Sequence, residues 1–196
     1  MTSTGIVKRP TDQPVEIGPL GLSGDTISSK KHHGGPDQAV YVYGEDDYAW
    51  WVVELGRPLD PGTFGENLTV AELATGAAMV GDRLHVGDAV VLEVTCGRIP
   101  CGTLTAHMGI RAFSRRFRTA ARPGLYCRVI EPGAVQTGDA VRYEPAAEAT
   151  LSVFELGEMF YAPDPTREQL ERLLAAPIDE RGRRDIERQL AAMDSP

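Results

Sequence analysis

DRLHVGDAVVLEV, residues 82–94, decides how the rest of the chain is read. Two apolar runs flank Gly87-Asp88, and a glycine that can take a positive φ suits a tight turn, so the stretch predicts a β-hairpin. In its second arm Val90, Leu92 and Val94 share one face, opposite Val91, Glu93 and Thr95, the period-two alternation of a strand. The same texture extends outward. GIVKR, QAVYVYG, NLTVAEL, GLYCRVIE and AVRYE each read as a strand of about 4–7 residues. Gly-, Pro- and Asp-rich punctuation separates them. Many short strands with few helices point to a barrel or a sandwich.

Two helices interrupt this β region. EDDYAWWVVELG, residues 45–56, opens on acidic residues and closes at Gly56, a plausible C′ position. LTAHMGIRAFSRRF, residues 104–117, reads as one helix with Leu104, Met108 and Phe117 toward one side and arginines on the other. From about residue 148 the texture turns helical. Ser152 with Glu155, and Thr166 with Gln169, have the spacing of capping boxes, and IDERGRRDIERQLAAM supplies a third helix. The division expected is 1–147 for the β domain and 148–196 for a three-helix extension that packs on it, because helices this short are marginal alone.

Composition narrows the function. The 196 residues are 42% apolar and 24% charged, ordinary for a globular chain. No apolar run approaches the length of a bilayer span, and the first residues lack the apolar core of a signal peptide. Three cysteines without framework or metal-finger spacing suit reduced thiols and a cytoplasmic setting. A net charge of −8 argues against a nucleic-acid binder. Within that acidic total, Arg98, Arg111, Arg115, Arg116, Arg118, Arg122 and Arg128 fall close together, either as a solvated helix face or as a patch that holds an anion. No dinucleotide or P-loop fingerprint, G-x-S-x-G elbow or H-E-x-x-H is present, so hydride transfer, ATP chemistry and serine hydrolysis are poor readings.

Three segments carry candidate chemistry. In GRIPC, Pro100 fixes a turn before Cys101, and Arg98, three residues before the cysteine, favours the thiolate, a nucleophile or soft-metal ligand. The alternative is a buried free cysteine, the use expected for Cys96 and Cys127. In KKHHGGPDQAV, residues 30–40, Lys31 and His33 precede Gly34 and Gly35, and paired glycines can turn backbone N–H groups into an anion nest. An exposed loop is the competing reading. In TFGENLTV, residues 63–70, Asn67 can donate and accept toward a heterocycle or an oxo group, or it can satisfy a tight turn.

Taken in order, GLSGD, KKHHGGPDQAVYVY, FGENLTV, VGDRLHVGDAVVLEV, GRIPC and GLYCRV resemble the MOSC domain family, named after the C-terminal domain of molybdenum cofactor sulfurases, in its YiiM-like branch. The resemblance covers residues 5–146, and the helical tail is similar to the extension many members of the branch carry. It implies a mainly β, MOSC-type β-barrel around a site for molybdenum cofactor, a phosphate-bearing pterin with a dithiolene-bound metal; pyridoxal phosphate is not expected. Cys101 then matches the family cysteine that ligates molybdenum or handles sulfur. Lys31, His33, Asn67 and Arg98 fall on motif positions for binding the cofactor, Gly34 and Gly35 form the nest, and Tyr43 and Tyr126 are expected in the pocket wall. The chain departs from the pattern at Cys96-Gly97, which sets a second thiol near the first, and at His32. The activity implied is reduction of a small N-hydroxylated substrate with electrons from an external donor protein, and the alternative is a cofactor or persulfide carrier. Homodimerisation is left open.

Overall fold

The computed structural model describes residues 5–25, 34–148 and 151–194. The strands run in the order β1 (Val15–Gly18), β2 (Gly21–Leu22), β3 (Val40–Gly44), β4 (Leu68–Val70), β5 (Arg83–Val86), β6 (Val90–Gly97), β7 (Leu125–Glu131), β8 (Gly133–Val135) and β9 (Val141–Glu144). Helices α1 (Glu45–Leu55), α2 (Gly102–Met108) and α3 (Phe113–Thr119) interrupt them, and α4 (Val153–Phe160), α5 (Arg167–Ala175) and α6 (Glu180–Met193) follow. Six strands form one curled, mixed sheet in the order β4-β3-β7-β6-β5-β9, and a three-stranded sheet, β2-β1-β8, lies beside it. Only β3 and β4 in the larger sheet are parallel. The architecture is a mainly β half-barrel with helices on its flanks.

The 82–94 hairpin forms as predicted, with Val86 opposite Val90 and Gly87 at φ 58°. Three residues, not two, make the loop. Residues 5–9, read as a strand, form none, although Ile6 is buried. Strands β1, β2 and β8 were not predicted.

Alternation along β3 explains the layering. Val40 and Val42 enter an aliphatic core with Leu84, Leu92, Val94, Leu125 and Cys127, while Tyr41 and Tyr43 enter an aromatic one on the opposite face. That aromatic layer joins Trp51 of α1, Phe64, Leu104 of α2 and Phe113 and Phe117 of α3. Fully burying one such large side chain contributes about 1.5–3 kcal/mol, so both faces of the sheet are firmly covered.

Glycine ends two helices in the left-handed conformation. Gly56 stops α1 as expected, with its N–H on the Val52 carbonyl at 2.9 Å. Gly109, at φ 65°, stops α2 and so breaks the single helix expected over 104–117 into two. Leu104, Met108 and Phe117 nevertheless reach the same core.

Both C-terminal capping boxes close, Ser152 with Glu155 and Thr166 with Gln169. Losing such a cap typically costs about 1 kcal/mol. Residues 151–186 are stitched onto the sheet: the Val80 N–H donates to Leu151, the Val153 N–H donates to Ala78, and Leu151, Val153, Leu170, Leu173, Ile178 and Ile186 share the aliphatic core. No helix among the described residues is long and apolar enough to cross a membrane.

Candidate functional site

Strand β6 ends at Gly97, and the chain turns through Arg98, Ile99 and Pro100 to Cys101, the N-cap of α2. The turn is held by the Arg98 N–H on the Pro123 carbonyl at 3.2 Å and by the Thr105 N–H on the Cys101 carbonyl at 3.2 Å. The Cys101 side chain makes no capping bond and is half-buried, packed at the edge of the aromatic core.

Arg98 organises the surroundings of that sulfur. Its Nη1 donates to the Phe64 carbonyl at 2.9 Å, its guanidinium carbon lies 5.2 Å from the centre of the Tyr41 ring, and it hydrogen-bonds to Cys101. Burial, the largest influence, works against the Arg98 charge, but Tyr126, Tyr41 and Cys101 together outweigh it and its pKa rises. The guanidinium is therefore a permanent cation beside the sulfur. Its Nε is buried with no hydrogen-bond partner, an unused donor in a place where unmade bonds are costly.

Tyr126 lies opposite Tyr41 in the β3–β7 register, with ring centres 4.7 Å apart. Burial first, then Cys96 and Cys101, raise its pKa against the pull of Arg98, so the phenol stays protonated at neutral pH. Asn67 is tied to the same strand: its Oδ1 accepts from the Tyr41 N–H at 2.9 Å, and its own N–H donates to the Tyr41 carbonyl at 2.7 Å. Its Nδ2 donates to Asp25 at 2.8 Å, and Asp25 pairs with Lys8. Arg98, Cys101, Tyr126 and Asn67 thus gather around Tyr41. Asn67, Asp25 and Lys8 also line a cleft of about 740 Å³ between the smaller sheet and the edges of the larger one; Cys101 and Arg98 are not part of that lining.

Other expected site residues fare differently. Gly34 and Gly35 sit at φ 78° and 93°, a conformation that favours glycine, and lead into a single 3-10 turn over Pro36–Gln38. That turn is pinned beside the site by Thr95, whose hydroxyl donates to the Asp37 carbonyl at 2.6 Å, and by Gln38, whose amide reaches the Cys96 sulfur at 3.8 Å. Lys31 and His33, with His32, lie outside the described residues. Tyr43, expected in the pocket wall, is fully buried in the aromatic core; its hydroxyl donates to the Arg122 carbonyl at 3.0 Å and accepts from Trp51 Nε1 at 2.8 Å. It packs and is not presented to a ligand. Cys96 and Cys127 are buried as expected, and burial, the larger cause, pushes the Cys96 thiol up to about 12.

Sequence reasoning passed over Tyr41. It shares a face with Tyr43 by alternation, but only the pairing of Tyr41 with Tyr126 sets it under Arg98. The neighbour of Asn67 also proves structural. Glu66 is buried and accepts from Tyr48 Oη at 2.5 Å, Gly62 N–H at 2.7 Å, Thr69 Oγ1 at 3.0 Å and Phe64 N–H at 3.2 Å, which fixes the loop whose carbonyl anchors Arg98.

The residues present fit a cofactor that brings its own metal donors. Among the described residues no group of three or more His, Cys, Asp or Glu is arranged to hold a metal ion. One accessible thiol beside one cation with a spare buried donor suits a metal already held by a dithiolene, which needs a single soft ligand from the protein.

A curled half-barrel carrying this Arg-x-Pro-Cys turn defines the class: the chain belongs to the MOSC domain family, whose pattern matches residues 29–142. It is 34% identical over 172 residues to the uncharacterized protein YflK of Bacillus subtilis strain 168, covering 88% of this chain and 77% of that one. Protein YiiM of Escherichia coli strain K12 is 30% identical over 176 residues, covering 88% and 78%. A protein named Reductase from Gibberella moniliformis is 34% identical over 145 residues, which are 71% of this chain and 25% of that longer one. The crystal structure of YiiM from Geobacillus stearothermophilus superposes with a TM-score of 0.79 at 24% identity, covering 95% of this chain and 89% of that one, a likeness of fold.

Proposed function

We propose that this MOSC protein binds molybdenum cofactor and reduces N-hydroxylated compounds of the hydroxylamino-purine type, with Cys101 as the protein ligand to molybdenum. The observation that carries the reading is the half-buried Cys101 sulfur, free of capping duty and bonded to a fixed Arg98. The kinship with a protein named Reductase supports an oxidoreductase.

In the net reaction an N–OH group takes up two electrons and two protons, its N–O bond breaks, and an N–H group and water leave. The cofactor, when bound, supplies the redox chemistry of that exchange. The chain's own residues hold and orient. Cys101 offers a soft anionic ligand, and Arg98, braced by the Phe64 carbonyl and the Tyr41 ring, stabilises that charge. The spare Arg98 Nε–H, the second Nδ2–H of Asn67 and the backbone at Gly34-Gly35 are donors for phosphate or pterin, with Lys31 and His33 assigned to the same task. Tyr126 keeps its hydroxyl proton and can donate to an oxygen at the site. Electrons come from a separate donor protein.

The test is turnover of 6-N-hydroxylaminopurine by cofactor-loaded protein with dithionite. Product formation proportional to bound molybdenum is expected, and none at full molybdenum occupancy would reject the reductase. The half-buried Cys101 sulfur also suits a carrier. In that case a sulfane-sulfur mass adduct appears on the protein, disappears in Cys101→Ala and does not depend on molybdenum.

A further inference from the structure

Asp47 is a buried carboxylate with no part in the chemistry at Cys101. It sits in the first turn of α1, yet both of its oxygens turn to other segments. Oδ1 accepts from Arg122 Nη1 at 2.6 Å, and Oδ2 accepts from the Thr75 N–H at 3.0 Å and from the Thr75 hydroxyl. Thr75, also buried, passes the hold on, because its Oγ1 accepts from the Gly124 N–H at 3.0 Å. Arg122 has no other acidic partner among the described residues, and its guanidinium carbon lies 5.0 Å from the centre of the Trp50 ring. Arg122 and Gly124 are the two neighbours of Pro123, so one buried charge grips the strap of residues 122–124 on both sides of its proline.

The Cys101 site hangs from that strap. The Pro123 carbonyl accepts from the Arg98 N–H at 3.2 Å and from the Tyr41 hydroxyl at 2.8 Å. The first is the backbone of the cation beside the sulfur, and the second belongs to the ring against which that cation lies. Packing leaves the strap no slack. A Cβ on Gly76, next to Thr75, would lie 2.3 Å from the Ala121 carbonyl oxygen, and one on Gly97, next to Arg98, 2.9 Å from the Pro123 ring. Ala121, just before the strap, holds φ 54°, a conformation that residues with side chains rarely adopt and keep only where their surroundings impose it. A shift of Arg122 or Gly124 is therefore passed to the Pro123 carbonyl, and from there to Arg98 and Tyr41.

We infer that Asp47 is a positioning residue for the Cys101 site: through Arg122 and Thr75 it sets the Pro123 carbonyl, and through that carbonyl the placement of Arg98 against the sulfur. The purpose of this hold rests on the reading of Cys101 as the molybdenum ligand, but the hold itself is made of hydrogen bonds and is read on the thiol without any metal. Asp82 supplies the contrast. It is a second buried carboxylate, and its oxygens accept from the Met79 N–H at 2.6 Å, the Ala146 N–H at 2.8 Å and the Tyr143 hydroxyl, none of them in the strap or the GRIPC turn.

The measurement is the rate at which iodoacetamide alkylates Cys101 in the full-length protein from cells that make no cofactor, with the adduct located by peptide mass and folding checked by thermal melts. Asp47→Asn keeps the shape and removes the charge that holds Arg122. It should slow alkylation about threefold or more, because a displaced Arg98 favours the thiolate less. A fold that had merely loosened would expose the thiol and speed the reaction. In the Arg98→Ala background the same substitution should change the rate by less than about 1.5-fold, since two residues on one path do not add. Thr75→Val, a milder cut of that path, should also slow the reaction, and Thr75→Ser should restore it. Asp82→Asn should lower the melting temperature and leave the rate unchanged. An unslowed rate in Asp47→Asn, or in Thr75→Val should the first variant not fold, would overturn the positioning role. So would an equal fold-decrease from Asp47→Asn with and without Arg98, or slowing of the same size by Asp82→Asn. Molybdenum in wild type from cofactor-making cells tests the other reading separately: none bound would sink the molybdenum ligand and leave the alkylation comparison standing.

Discussion

Arg98 reaches two ways at once: its guanidinium hydrogen-bonds to the Cys101 sulfur, and its Nη1 donates to the Phe64 carbonyl at 2.9 Å. The turn that carries Cys101 is thereby clamped to a loop 34 residues away in sequence. The clamp keeps a cation beside the thiol without a ligand to organise it.

Removing that cation should blunt the thiol. A neighbouring guanidinium favours the nucleophilic thiolate, so Arg98→Ala should slow alkylation of Cys101 by iodoacetamide several-fold at neutral pH, with Arg98→Lys in between. Losing the Phe64 bond should also cost about 1 kcal/mol in a urea melt. An unchanged alkylation rate would remove Arg98 from the account of the site.

The three thiols should be sharply unequal. Burial, then Asp179, pushes Cys96 up to about 12, and burial raises Cys127 as well. At about pH 8 the native protein should take one adduct, on Cys101, whereas the denatured chain takes all three. The Cys96 shift also has a consequence for stability. An unfolded thiol releases its proton near 9, while folded Cys96 keeps it to about 12, so its contribution is complete below about pH 9 and is lost as pH climbs through that window. Cys96→Ala should flatten the fall in unfolding free energy between about pH 9 and 11, by on the order of 2 kcal/mol. A parallel fall in both proteins would show that the burial of Cys96 is not felt.

Glu66 should matter for the fold more than for the chemistry. Its carboxylate satisfies Tyr48 and the Gly62 and Phe64 N–H groups inside the protein. Glu66→Ala strands those donors at about 1–3 kcal/mol each, so destabilisation of about 3 kcal/mol or more is expected, with a milder loss for Glu66→Gln. Chemical denaturation decides it, and a loss below about 1 kcal/mol would make the latch redundant.

Much of this was legible in the residues themselves. The alternation in residues 82–94 fixed a hairpin, Ser152 and Thr166 announced two helix starts through chemistry confined to one turn, and Gly56 announced a stop. Local signals failed where the deciding contact was distant. Gly109 looked tolerable within a helical pattern until Ala112 adopted φ 57° and α3 set off anew. β1, β2 and β8 are held by pairing rather than by pattern, as in Val15 opposite Val135. At the site, the nearness of Arg98 to Cys101 was readable because only two residues, one of them Pro100, separate them. Tyr41 and Tyr43 were indistinguishable, because period two gives the face and not the depth. Gly124 shows what supplies the depth: at φ 66°, a Cβ there would lie 2.4 Å from the Tyr41 hydroxyl, so this glycine makes the room in which Tyr41 lies under Arg98.

Everything proposed about activity turns on one bond, from the Cys101 sulfur to a transition metal. The direct measurement is molybdenum per chain, by elemental analysis, in wild type and Cys101→Ala purified from cells that make the cofactor, with thermal melts showing both folded. Near-stoichiometric metal in the wild type and a loss of most of it in the variant is the predicted result. Equal molybdenum in the two proteins, or none in the wild type, would contradict it.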